Sequence, residues 1–179
     1  CASGFRRGCF VTKEEIITAL SLSPHPEGGW FREVYRAGLT IPKRGLPERF
    51  HGERNAATSI YFLLPGTDVS RFHSIASDEM WHFYGGAPLT IHSLETNGSY
   101  TRHLLGNDIT AGQRPFHVVP AGTVFGATVE AEDSYGFAGC TVAPGFDFED
   151  FQMPTRSELR RRFPRHEKII GRLGADDNA

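Results

Sequence analysis

Residues 66–86 read G-T-D-V-S-R-F-H-S-I-A-S-D-E-M-W-H-F-Y-G-G, and the rest of the chain is organised around them. Residues 69–75 and 80–84 are rich in β-branched and aromatic side chains, the composition of strands. A short polar link, Ala76-Ser77-Asp78, separates them. If the two strands pair, their period of two puts Arg71, His73 and Ile75 on one face of the first. Glu79, Trp81 and Phe83 then share one face of the second. One imidazole, one carboxylate and two aromatic rings would line a single cavity.

The same rhythm continues outward. Strands are predicted over 30–36, 56–64, 89–94, 100–105, 116–119, 123–129 and 135–142. They recur at intervals of roughly 8–12 residues with turn residues between, the pattern of an all-β barrel or sandwich. Helices are expected only at the two ends. Thr12 and Glu15 form a capping box for a helix over 13–20, and Thr155 and Glu158 form a second box for one over 157–163. Pro164 breaks that helix, and 166–173 continues as another turn or two. Residues 42–54 read as a polar, positively charged loop. The segment A-P-G-F-D-F-E-D-F at 143–151 alternates Phe with acids, which suits a strap folded across the barrel wall.

Composition sets the outer bounds. The chain has 179 residues, 39% hydrophobic and 22% charged, with a net charge of -2. That is ordinary for one globular domain and gives no footprint for nucleic acid. No apolar run approaches the roughly 20 residues of a membrane span. Three cysteines, Cys1, Cys9 and Cys140, make a poor disulfide framework, so the expected compartment is reducing and cytoplasmic. Cys140 reads as a buried thiol with no activating neighbour in sequence. Residues 1–11 read as an N-terminal extension, 12–152 as the barrel domain and 153–179 as a helical tail.

Gly66, His73, Glu79 and Gly86 resemble the first motif of the cupin superfamily, and Pro120-Ala121-Gly122-Thr123-Val124-Phe125 resembles the second. More specifically, H-P-E-G-G at 25–29, S-D-E-M-W-H-F-Y at 77–84, V-P-A-G at 119–122 and the strap at 143–151 resemble a small single-domain cupin subgroup of unassigned function. The resemblance implies a double-stranded β-helix (jelly-roll) barrel with short flanking helices, usually dimeric. The strand over 30–36, with three aromatics, is expected near the two-fold interface. Two departures stand out. Ile75 and Phe125 occupy positions where cupins carry metal-ligating His. Val124 stands where the subgroup commonly has Trp.

The chemistry follows from those departures. A non-haem metal centre takes about three protein ligands, and only His73 and Glu79 remain. His82 is three positions from Glu79 and falls on the opposite face of a regular strand. The expectation is therefore no cofactor, with at most a weakly held divalent metal at His73 and Glu79. A His beside a carboxylate in an aromatic cavity also suits proton transfer, so His73 and Glu79 are the candidate catalytic pair. Tyr61, Arg71, Trp81, Phe83 and Phe125 are candidate ligand-binding residues, with Arg71 neutralising an anionic group. Three readings stand: a metal-independent isomerase or epimerase acting on a sugar or carbonyl compound, a ligand-binding cupin without chemistry, and a metal-dependent oxygenase or isomerase. His25-Pro26-Glu27-Gly28-Gly29 reads as a turn ahead of a strand, and a chemical role for His25 or Glu27 stays open. The expected partner is a small molecule, with no nucleic acid and no membrane, in a homodimer.

Overall fold

The computed structural model describes residues 11–177. Cys1, Cys9 and most of the expected N-terminal extension lie outside the described residues. Helix α1 (Lys13–Leu20) opens the chain and is followed by β1 (Ser23–Pro24), β2 (Trp30–Arg36), β3 (Thr40–Ile41), β4 (Arg54–Asn55) and β5 (Thr58–Pro65). Then come β6 (Val69–His73), β7 (Asp78–Gly86), β8 (Leu89–Leu94), β9 (Tyr100–Leu105), β10 (Phe116–Val119), β11 (Val124–Val129) and β12 (Tyr135–Ala143). Helices α2 (Arg156–Arg162) and α3 (Glu167–Leu173) close it. Both capping boxes read from the sequence are present, with Thr12 and Thr155 each accepting from the backbone of the Glu that caps them in return. No described helix is long and apolar enough to cross a membrane.

Two antiparallel sheets face each other. The larger has the order β1-β2-β5-β12-β7-β10, and the smaller β6-β11-β8-β9. This is the all-β architecture expected from the strand rhythm, in the jelly-roll form that the cupin resemblance implies. One detail differs. Strands β6 and β7 do not pair, because the link between them crosses from the small sheet to the large one. His73 and Glu79 therefore approach across the barrel and not from neighbouring strands.

Burial follows the alternation of the strands. Phe62, Leu64, Trp81, Leu89, Ile91, Phe125 and Ala138 pack into one interior cluster. A second cluster lies between the small sheet and the C-terminal helices, where Phe72, Leu94 and Val124 meet Leu159, Phe163, Ile170 and Leu173. The tail is thus packed onto the barrel as a lid over one sheet's outer face.

The loop read as polar is anchored from inside. Phe50 is completely buried. Arg54, only 4% exposed, donates from Nε to Asp150 Oδ2 at 2.7 Å and from its terminal nitrogen to Oδ1 at 2.8 Å. This fork-on-carboxylate geometry is the strong form of the ion pair, and it ties the loop to the 143–151 strap. Asp150→Ala leaves the buried guanidinium with the Glu53 carbonyl and the more distant Glu149 carboxylate at 3.4 Å. The unfolding free energy from urea titration is expected to fall by about 3–5 kcal/mol. A loss of about 1 kcal/mol or less, the size of an exposed pair, would mean that the anchor lies elsewhere.

Candidate functional site

The barrel holds a cavity of about 180 Å3 whose walls come from β2, β5, β6, β7, β12 and the strap. Its chemistry is built by a turn. Residues 25–29 fold back onto β6, and Gly28 makes this possible. It sits at φ +113°, and a Cβ there would run into the Val69 carbonyl, so only glycine fits the close approach. The Arg71 amide then donates to the Glu27 carbonyl at 2.8 Å. Glu27, 5% exposed, is carried into the barrel.

Glu27 meets three side chains. Ser70 Oγ donates to its Oε1 at 2.8 Å. His73 Nε2 lies 3.1 Å and His25 Nδ1 3.5 Å from its Oε2. The Glu27 amide donates back to His25 Nδ1 at 3.3 Å. Ser70 and His73 both reach this carboxyl although they are three apart in sequence. A bulge explains it: Phe125 pairs with His73 and Ala127 with Ser70, so β6 carries one residue more than β11.

The tautomer of His73 follows from its neighbours. Its Nδ1 lies 2.7 Å from the Arg71 carbonyl, which can only accept, so Nδ1 carries a hydrogen. Nε2 and Glu27 Oε2 are then two acceptors facing each other unless one of them holds a proton. Burial pushes Glu27 up and His73 down, and both directions favour the uncharged pair, with the proton on the carboxyl. Burial also lowers His25, against the pull of Glu27.

Glu79 faces this pair across the cavity. Burial raises its pKa to about 7; His73 opposes the rise and Glu27 adds to it. Cys140 lies beside Glu79, and burial together with the two carboxyls pushes the thiol well up, so it is no nucleophile. Most of the remaining wall residues are apolar, with Thr58 and Asp147 among the polar ones. Phe31, Ile60, Phe62, Phe146 and Phe151 line the cavity, and Arg36 with Glu33 stands at its mouth.

Of the residues singled out in the sequence, His73 and Glu79 line this cavity, as does Ile75. Arg71 does not. The bulge in β6 takes its side chain out of the alternation, and it contributes its backbone instead. Trp81 and Phe125 belong to the packed interior and Phe83 rests against it, with the Phe125 ring 4.2 Å from that of His73. Tyr61 packs with Tyr84 and Phe137, at ring distances of 6.2 and 5.8 Å, away from the cavity. His82 lies against Phe116. The groups that the alternation argument did not bring in are His25, Glu27, Ser70 and Phe151.

The family model for the Cupin superfamily (DUF985) matches residues 14–154. The chain belongs to the cupin superfamily. Among solved structures, protein SO0799 from Shewanella oneidensis is 36% identical with a TM-score of 0.83, over 93% of this chain and 99% of that one. A hypothetical protein from Leishmania major is 32% identical with a TM-score of 0.84, over 92% and 99%. Protein YML079W of Saccharomyces cerevisiae is 29% identical over 147 residues, 76% of this chain and 72% of the yeast protein. Oxalate decarboxylase of Bacillus subtilis shares the fold at a TM-score of 0.51 and 14% identity, over 87% of this cupin and 38% of that chain.

The metal site implied by the cupin fold does not fit these residues. Ile75 and Phe125 have no lone pair to offer, and both nitrogens of His73 are already engaged. Among the described residues no three His, Cys, Asp or Glu side chains converge to hold a metal. What the cavity does offer is a set of groups that exchange protons. The raised pKa of Glu79 makes its stability effect directional. Folding favours the protonated form, so the contribution is fully present below its ordinary value of 4.5 and is lost as pH rises through about 7. Relative to Glu79→Gln, the wild-type protein is expected to lose roughly 3 kcal/mol across that window, read by urea unfolding at stepped pH. A difference that stays flat with pH would mean that Glu79 titrates as an ordinary carboxyl.

Proposed function

We propose that this cupin binds a small carbonyl-bearing molecule in the barrel and shifts a proton on it without a metal. The observation that carries this reading is the 3.1 Å contact of His73 Nε2 with Glu27 Oε2, which needs a proton on one of the two, in a cavity shared with Glu79, whose pKa burial raises to about 7. Paired titratable groups whose surroundings separate their proton affinities are the arrangement of an acid and a base. Ionised Glu79 takes a proton from the carbon beside a carbonyl. The Glu27–His73 pair gives its proton to the carbonyl oxygen, forming the enol. Glu79 then gives its proton to the former carbonyl carbon, and the hydroxyl on the carbon that lost its hydrogen becomes the new carbonyl by returning a proton to the Glu27–His73 pair, which completes isomerisation and resets both groups. The apolar walls exclude water and hold the substrate by its carbon skeleton.

A sugar or a 2-hydroxy carbonyl compound suits this chemistry. Incubation of the protein in D2O with a panel of aldoses, ketoses and 2-hydroxy ketones tests it by proton NMR. Loss of the signal of the hydrogen beside the carbonyl is expected for at least one member. Glu79→Gln is expected to slow that loss by about 10²–10⁴-fold, the usual worth of a positioned acid or base.

A second reading, ligand binding without chemistry, is favoured by the aromatic walls Phe31, Phe62, Phe146 and Phe151. It takes over if ligand-observed NMR shows binding in the cavity and no hydrogen is exchanged.

The same proposal includes a homodimer. Val34 and Tyr35 of β2 are 46% and 55% exposed, on a strand whose outer neighbour β1 has only two residues. Sedimentation at micromolar concentration is expected to give the mass of two chains, and Tyr35→Glu to reduce it to one. A wild-type mass of one chain would refute the dimer.

A further inference from the structure

A second concavity lies on the opposite side of the small sheet, between its outer face and the C-terminal helices. It has a volume of about 550 Å3. Its walls carry Arg102 from β9, Arg165 from the turn before α3, and Lys168 and Arg172 from α3. All four are exposed. None of the four has an acidic partner within ion-pair distance among the described residues. Glu130 is the one acid lining the groove, and it already accepts from Thr90. Four cations therefore face one groove against a single carboxylate, in a chain whose net charge is -2. Like charges gathered this way repel one another, and a bound anion removes that repulsion.

The floor is polar and ordered. His92, 4% exposed, is fixed by Tyr100 Oη at 2.7 Å from Nδ1 and Thr128 Oγ1 at 2.9 Å from Nε2. Burial, with Arg102 and Arg172 nearby, lowers its pKa to about 4, so the floor is neutral and the positive charge sits on the walls. His166 is oriented by the Gly98 carbonyl, 2.9 Å from its Nε2, which leaves Nδ1 toward other partners. Guanidinium forks around a hydrogen-bonding floor match phosphate oxygens.

We propose that this groove is a binding site for a small phosphate-bearing anion, with Arg102, Arg165, Lys168 and Arg172 as its cationic walls. The groove is a bounded hollow and not a basic stripe along a face, so the fit is to a small ligand and not to a nucleic-acid backbone. The site is outside the barrel and does not depend on the reading of the cavity.

Titration with sodium pyrophosphate at fixed ionic strength, followed by calorimetry and by the ring signals of His92 and His166, tests the proposal. Saturable one-to-one binding with shifts at both rings is expected. The double variant Arg102→Gln, Arg172→Gln is expected to weaken it by about a hundredfold, at about tenfold for each charged hydrogen-bonding group. Both side chains are exposed, and an unchanged Tm confirms that the variant is folded. Arg32→Gln removes a charge from the other sheet and is expected to leave the affinity unchanged. Absence of saturable binding, or equal weakening by Arg32→Gln, overturns the site. Tighter binding of a single-stranded oligonucleotide through the same arginines would replace the small ligand with a nucleic-acid surface.

Discussion

A carboxyl group inside an apolar barrel has to be neutral or hydrogen-bonded on every side, and the burial of Glu27 shapes much of this protein. The turn at 25–29 exists in its folded form because Gly28 lets the backbone lie against β6. The bulge in β6 brings Ser70 and His73 to the same carboxyl. The Arg71 carbonyl then fixes the His73 ring from behind, and Phe151 stacks on that ring at 5.4 Å. Each device is local, yet together they join the N-terminal turn, the small sheet and the strap around one proton. Without the turn or the bulge, a buried polar group would lose its partner.

The fold was legible because its signals are short-range. Strand rhythm and capping boxes act within a few residues, and strands such as Trp30–Arg36 and Leu89–Leu94 fall where the pattern puts them. The site was legible only in part. His73 and Glu79 came from alternation and do line the cavity. Arg71 came from the same alternation, which a bulge breaks, and nothing in V-S-R-F-H marks the extra residue. Glu27 meets Ser70 across 43 positions of sequence. A contact of that range leaves no periodic trace. H-P-E-G-G reads as a turn, which it is, and only its resemblance to a subgroup motif hinted at more. Aromatic residues were the hardest to place, since Trp81 and Phe125 serve the packed interior and Phe146 and Phe151 the cavity, and composition cannot tell these apart.

The barrel cavity and the groove outside the small sheet solve the charge problem in opposite ways. In the barrel, burial drives the groups toward neutrality, raising Glu27 and Glu79 and lowering His25 and His73. Outside the small sheet, exposed guanidinium groups keep their charge, and it is the buried His92 beneath them that gives up its proton. A neutral, proton-exchanging interior suits an uncharged organic ligand. A cationic exterior groove suits an anion.

Phe125 links the departure from the cupin metal motif to the proton chemistry. Its ring sits 4.2 Å from His73 and almost wholly buried, where a coordinating imidazole would face inward. Ile75 lines the cavity beside it, and neither of these two positions offers a metal a lone pair. A buried imidazole that binds no ion still has a lone pair to satisfy. In this chain the donor comes from Glu27, and the neutral pair costs less desolvation than a bare carboxylate or imidazolium would. That choice moves the acid into the pocket, and burial there raises the Glu79 pKa to about 7, with His73 opposing the rise and Glu27 adding to it. Where Ile75 and Phe125 offer no lone pair, the polar groups that face a ligand in this cavity include Glu27, His73 and Glu79, the last with its pKa raised to about 7 by burial.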